Sequence, residues 1–505
     1  MDLLGNILKG TTKVGYMRQV KKSQKLKDQN HTLQKLLTRA RLTDFGMAHN
    51  FTDVLASEQP SKAFREVVPL TNYEQFHAKW LRQALEDKRN ITWPGRIPFY
   101  ALSSGTTNSP SKRIPVSDNM LRQFQRVTIQ QIVGIHKLDL PSAFFETQVL
   151  IIGGSTELEK VGAHYEGDLS GILAKNKSFI LSPFSKPGRR ISRIRDWKEK
   201  MDEIVKKADQ WDIGIIAGVP SWITLLLESI IEYYNVESIH DVWPNFSLYS
   251  HGGIFIDPYK ERLNKLFAKP VYFQNTYLAS EGYFGFQRDF EQDGMELLLS
   301  NGIYFEFVEE HHFEKIKEGD FSEIGTLNID EVEQNVPYGL VISTCSGLWR
   351  YVIGDVVEFT DLETKRINIV GRISFGLSIV GEHLSDGNML DAIKKVSAAL
   401  GVIVEEFCVH PNSTMNGHHW YIGLQQPDAI DGEQFAALLD KEIKANNDDY
   451  ASIRKSLLLP PTVLPLSVDT FYGFMERRGK IGGQNKFPRV LKEGQIEEWK
   501  VFVAR

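Results

Sequence analysis

Cysteine is nearly missing from this chain: Cys345 and Cys408 are the only two, far apart and in no metal-ligand spacing. That excludes a disulfide framework and a cysteine-built zinc site, and it points to a reduced, cytoplasmic protein. Long apolar runs are missing as well. No stretch approaches the roughly 18 residues that span a bilayer, and the N-terminus lacks the apolar core of a signal peptide. No stable membrane insertion is expected. A net charge of −5 offers nothing to nucleic acid. Neither G-x-x-x-x-G-K-S/T nor a helix-opening G-x-G-x-x-G occurs, and no H-E-x-x-H is present. His311-His312 and His418-His419 are therefore poor zinc candidates, the second pair also because neighbours on a strand face opposite sides.

What remains is ordinary globular material: 505 residues, 42% hydrophobic and 24% charged, enough for two or more domains. Residues 1–41 stand apart as a basic arm, with ten Lys/Arg against Asp2 and Asp28, a net of +8. Leu26, Leu33, Leu36 and Leu37 give it an apolar stripe at helical spacing, which predicts a helix packed along the body. Because it precedes every motif, the arm is expected to be dispensable for chemistry.

The chain is organised around Ser103–Lys112, SSGTTNSPSK. Small and hydroxylated residues between two apolar, extended flanks can aim several N–H and O–H donors at phosphate oxygens. The plain alternative is a polar turn. Ser117 or Asp118 caps a helix over 119–133, on which Arg122 and Arg126 share a face and are candidates for neutralising a carboxylate substrate.

From 149 to 273, strand and helix alternate: Val149–Ile152, Ile194–Trp211, Ile213–Val219, Trp222–Tyr234, Phe246–Ser250, Glu261–Phe267 and Val271–Phe273. That predicts a parallel, helix-covered sheet with ligand loops at its strand ends. Short alternating segments from 296 to 359 predict antiparallel strands in a small barrel-like β subdomain. After Arg372 the texture becomes a smaller α+β unit. The expected fold class is α/β: a large N-terminal domain, 1–371, and a smaller, mobile C-terminal domain, 372–505.

Three further stretches carry chemistry. Asn275–Glu281, NTYLASE, sets an aromatic, a hydroxyl and a carboxylate on a turn at a strand end, suited to a base, a phosphate and Mg²⁺. Asp355, after Gly354 and between apolar strands, is costly unless it accepts hydrogen bonds, as from ribose hydroxyls. Gly479–Arg489, GKIGGQNKFPR, is a glycine-rich loop that could carry Lys486 into a site.

In this order the motifs resemble adenylate-forming enzymes, and YLASEGYFG, RYVIGDVVEF, LSIVGEHL, GHHWYIGL and QNKFPR resemble the auxin-responsive acyl-acid amido synthetases (the Gretchen Hagen family). The resemblance runs from about residue 60 onward. It implies that Ser103, Ser104, Thr106 and Thr107 bind ATP phosphates, with Thr106 also catalytic. It implies that Tyr277 packs on adenine, Ser280 lies near the α-phosphate and Glu281 holds Mg²⁺. Asp355 and Arg372 would contact ribose, and Lys486 would meet the α-phosphate and the substrate carboxylate. Ser109, Leu278 and Val352 depart from the usual Gly, Gly and Arg. The implied activity is an ATP-dependent ligase joining a small carboxylic acid to an amine, an amino acid in kind, through an acyl-adenylate. An acyl-CoA ligase, or a nucleotide-binding protein without turnover, is the alternative.

Overall fold

The computed structural model describes residues 6, 9–15, 29–103, 112–138, 140–177, 182–253, 256–373, 376–377, 379–380, 382, 384–412, 416–480, 482, 486–491 and 493–504. Ser104, Thr106, Thr107 and Ser109 lie outside them. The chain forms two compact units, one of Met1–Ile353, Glu358–Asn368 and Gly482–Gln484, the other of Gly354–Val357, Ile369–Ile481 and Asn485–Arg505.

In the larger unit α1 (Gln29–Ala40) turns the leucine stripe inward, with Leu33, Leu36 and Leu37 buried. Sequence periodicity placed this helix correctly, and burial of those leucines makes part of the basic arm structural. β1 (Phe99–Ser103) pairs antiparallel with β2 (Lys112–Val116). The helix that follows, α2 (Asp118–Gly134), is capped by Ser117, whose side chain accepts from Met120 N–H.

The strands then continue as β3 (Gln148–Ile151), β4 (Glu159–Val161), β5 (His164–Gly167), β6 (Ser185–Lys186), β7 (Ile213–Gly218), β8 (Leu248–Gly252), β9 (Tyr272–Ala279) and β10 (Gly282–Phe286). After them come β11 (Met295–Leu297), β12 (Ile303–Glu309), β13 (Pro337–Thr344), β14 (Tyr351–Asp361) and β15 (Arg366–Arg372). β2, β1, β5 and β4 make a four-stranded sheet, in that order. The large sheet runs β12-β13-β14-β15-β11-β10-β9-β8-β7-β3-β6. Its β6–β3–β7–β8–β9 half is parallel, as the strand–helix alternation predicts. Beside it, α3 (Trp197–Val205), α4 (Pro220–Tyr234) and α5 (Asp257–Lys265) bury Ile204, Leu227 and Leu263 in one core with Leu150, Ile216 and Tyr249. Pro220 opens α4, where its missing N–H costs nothing. The antiparallel strands expected of a barrel-like subdomain are present, and β12 to β15 extend the same sheet.

β12 is an edge strand of that sheet. Gln29 of α1 donates to Leu299 O at 2.6 Å and Ile303 O at 3.1 Å and accepts from Phe305 N–H at 2.7 Å. Two residues on, Phe307 exchanges a pair of backbone hydrogen bonds with Leu327, at 3.0 and 2.8 Å.

The smaller unit holds β16 (Gly376–Leu377), β17 (Leu384–Ser385) and a three-stranded sheet of β18 (Glu406–Pro411), β19 (His418–Leu424) and β20 (Thr462–Ser467). Alternation along β19 sends Trp420 and Ile422 to one face, against Met389 and Val396 of α6 (Asp386–Leu400) and Phe435 and Leu439 of α7 (Gly432–Asn446). Tyr421 goes to the other face, against Phe471 and Phe474 of α8 (Val468–Arg477) and Trp499 of α9 (Glu493–Val503). Among the described residues no helix is long and apolar enough to cross a membrane. Both cysteines are buried and free.

Candidate functional site

The sequence reads Asn275–Glu281 as one turn after a short strand. Instead, residues as far as Ala279 belong to β9, because the alternation continues and the strand has neighbours on both sides. Ala279 pairs directly with Gly282, so Ser280 and Glu281 are the two corner residues of a hairpin. Both are buried. A carboxylate fixed at a strand corner is a fit ligand for Mg²⁺, which takes one or two protein carboxylates and draws its other ligands from phosphates and water. Among the described residues no group of three His, Cys, Asp or Glu gathers into a metal cage. Tyr277 is buried, its ring edge-on to Phe284 at 4.7 Å.

Ser103 ends β1 opposite Lys112, so the two described ends of the Ser103–Lys112 segment are held together by sheet register. Lys112 sits over the Tyr73 ring at 5.4 Å, and Arg113 Nε donates to Glu166 at 2.8 Å. Arg122 and Arg126 share a face of α2, as their spacing requires, and line a cavity of about 380 Å³ with residues of α1. Neither Ser103 nor the Ser280–Glu281 corner borders it. The opposite side of α2 carries Gln131 to within 3.3 Å of Gln274 on β9, with Ser250 of β8 at 3.4 Å from the same oxygen.

In the smaller unit Asp355 and Arg372 meet: Arg372 Nε lies 2.6 Å from Asp355 Oδ1. Gly354 makes this possible. Its φ of 91° kinks β14, a conformation most residues avoid, and its carbonyl accepts from Ile373 N–H at 2.7 Å. The sequence places both residues on ribose and does not foresee their pairing with each other.

Lys486 faces this pair. Its side chain keeps exposed surface, with Arg372 and Arg489 as cationic neighbours. Desolvation first, then Arg372 and Arg489, pushes its ammonium down to about 8 against the pull of Asp355 and Asp386. Asp386, at the first turn of α6, has its carboxyl pushed up by burial, opposed by Arg489, Arg372 and Lys486. Its Oδ1 has no hydrogen-bond partner in the described structure. Asp386 and Arg489 are the members sequence reading missed. Arg489 lies in the quoted QNKFPR run, while Asp386 follows LSIVGEHL by two residues.

The histidine pairs have other partners. His418 Nε2 is 2.8 Å from Glu382, which also accepts from Ile379 and Val380 N–H and is held at about 2, burial opposing those hydrogen bonds. His419 bonds Thr462, and His311 and His312, their rings tilted against each other, lie on a short 3-10 helix with no buried residue.

Residues 17–160 match the GH3 family N-terminal domain, 296–372 the GH3 family central domain and 387–495 the GH3 family C-terminal domain. The Arabidopsis thaliana indole-3-acetic acid-amido synthetase GH3.3 is 26% identical over 499 residues, 89% of this chain and 80% of that protein. Its relative GH3.4 from the same plant is 26% identical over 236 residues, 43% of this chain and only 39% of that protein. The Arabidopsis thaliana 4-substituted benzoates-glutamate ligase GH3.12 is 24% identical over 246 residues, 44% of this chain and 41% of that protein. Thus the matches to these last two span about two fifths of their length. The solved GH3.15 acyl acid amido synthetase superposes with a TM-score of 0.75 at 16% identity, covering 93% of this chain and 92% of that one. A 2-hydroxyisobutyryl-CoA ligase in its postadenylation state superposes at 0.59 and 12% identity, covering 94% and 91%. Both share the fold.

Proposed function

The chain belongs to the GH3 family, and from that premise we propose that it is an ATP-dependent, AMP-forming acyl acid amido synthetase. A small carboxylic acid attacks the α-phosphorus of ATP, forming an acyl-adenylate as pyrophosphate leaves. The amine of an amino acid then attacks the acyl carbon, and AMP departs to leave an amide. The glutamate in the name of the GH3.12 relative supports an amino acid as acceptor.

The observation that carries this reading is Lys486. Its ammonium, held at about 8 among Arg372, Arg489, Asp355 and Asp386, still binds its proton at neutral pH and offers a preorganised charge to a phosphate in transfer. In this reading Lys486 meets the α-phosphate and the carboxylate, while Asp355 and Arg372 hold the ribose. Ser103, Ser104, Thr106 and Thr107 donate to the phosphates, Tyr277 borders adenine and Ser280 lies near the α-phosphate. Glu281 would hold Mg²⁺, which supplies charge neutralisation on the phosphates when bound. Arg122 and Arg126 receive a separate role below. Two free, buried thiols support a cytoplasmic location in this reading.

ATP–pyrophosphate exchange across a panel of carboxylic acids tests the proposal. Exchange that depends on a particular acid supports it. Silence with every acid would leave a nucleotide-binding protein without turnover. Supplying CoA or mixed amino acids with the active acid then separates thioester from amide formation.

A further inference from the structure

α1 and α2 face each other across the cavity of about 380 Å³, a volume within the range of small-ligand sites. His31, Lys35 and Arg39 repeat every four residues on α1, and Arg122 and Arg126 do so on α2, so each helix presents one basic stripe to the same space. No Asp or Glu lines it. Among the described residues none of Lys35, Arg39, Arg122 and Arg126 has an acidic partner at ion-pair distance. Arg122 donates only to Asn119, and Arg126 reaches Ser300 O at 3.5 Å.

This arrangement runs against composition. The chain has 64 Asp/Glu to 59 Lys/Arg, so cations scattered at random would find acids nearby. Like charges four apart on a helix repel, and here two such pairs are set against each other. The arm itself is strongly basic, since residues 1–41 hold only Asp2 and Asp28 among ten basic residues. Cations lining a concavity also add their fields there. The buried Cys345 thiol reports this: burial pushes it up to about 12, while Arg122 and Arg39 both pull the other way. The stems are anchored, because Leu33, Leu36 and Leu37 on α1 and Leu121 and Phe124 on α2 are buried.

We propose that this cavity binds a compact polyanion, a polyphosphate or a polycarboxylate, at a place apart from the reacting site. Three guanidinium forks and an ammonium match several anionic groups on one small molecule better than a single carboxylate, because each fork takes two oxygens. A monocarboxylic acid substrate would leave most of the charge unanswered.

The test is calorimetric titration of the full chain with tripolyphosphate and, separately, citrate at constant ionic strength, because exposed charges are screened over about 10 Å at 0.1 M salt. Saturable one-to-one binding by either is expected, and which arm binds names the anion. Lys35→Gln/Arg39→Gln should weaken it at least tenfold. Both side chains are exposed, so circular dichroism should match the parent. Arg122→Gln, on the facing helix, should weaken the same binding and gives an independent readout. Absence of binding by both probes overturns the proposal. So does binding that survives both variants, which would place the anion in the nucleotide site, and so does equal binding of acetate. Pyrophosphate exchange is read separately, so failure here leaves the proposed ligase activity untouched.

Discussion

Glu306 and Arg350 lie buried in the larger unit with their hydrogen bonds filled. Arg350 Nε donates to both Glu306 oxygens at 3.0 and 3.2 Å, Nη1 to the carbonyls of Arg65 and Val68, and Nη2 to Thr326. The network is tight enough to hold Arg350 at a φ of 42°, a strained value for a side chain of this size. In the smaller unit, five residues along the chain, Asp355 begins a different kind of cluster. Among the described residues Asp386 Oδ1 has no hydrogen-bond partner, Lys486 holds its proton less firmly than a free lysine, and Lys486 and Arg372 sit with Asp355 and Asp386, while Arg489 pairs with Glu406 at 3.0 Å. Charges whose valences are closed within the protein are scaffold. Charges left with spare capacity are available to a ligand.

Breaking the closed network should have the largest effect. Arg350→Ala leaves Glu306 buried without its cation, and loss of one partner from a buried pair costs about 3–5 kcal/mol. Denaturant unfolding should register that loss. A folded variant of parental stability, with only nucleotide affinity reduced, would move Arg350 from scaffold to site.

Lys486→Ala should slow pyrophosphate exchange by roughly a hundred- to a thousandfold, as expected for removing a preorganised donor. Aminolysis of a supplied acyl-adenylate should largely survive, since no pyrophosphate leaves in that step. Lys480, in the same loop, is the control. Near-normal rates in both half-reactions would make Lys486 a surface charge.

Asp355→Ala should weaken ATP binding by about 1.5–3 kcal/mol, roughly 10- to 150-fold, with the fold intact. Unchanged affinity by calorimetry would dissolve the contrast with Glu306. The mildest effect is on pH. Lys486 is held at about 8, below its ordinary 10.5, so its cation is present below about 8 and lost above it. Exchange should therefore decline as pH rises through about 8, and Lys486→Arg should flatten the decline. A parental decline in the arginine variant would assign it to another group.

Local pattern made much of this legible. The helical periodicity of α1 and α3, the Ser117 cap and the parallel strand–helix alternation are near-neighbour effects that sequence carries directly. The site was half legible. Asp355 and Lys486 stand out in the sequence by their chemistry and Arg372 by the family resemblance, but the Asp355–Arg372 pair depends on a kink at Gly354 and on strands whose approach no spacing reveals. Asp386 was missed because an acid at N1 of a capped helix is ordinary, and only the neighbours brought by folding make it unusual. The facing of Arg122 and Arg126 by α1 was hidden for the same reason. Two amphipathic helices announce their own faces and not each other's.

Gln29 acts beyond stability. An edge strand with open N–H and C=O groups is a template on which another chain can add a strand, and repetition of that step grows an aggregate. On β12 the groups at 303 and 305 are taken by one glutamine amide, which presents the same donor and acceptor as a peptide, and Phe307 is closed by Leu327. The side chain thus impersonates a neighbouring strand one residue long and offers nothing for the next molecule to extend. A chain clipped past residue 29 could retain every reacting group and still be lost, through polymerisation of intact subunits edge to edge.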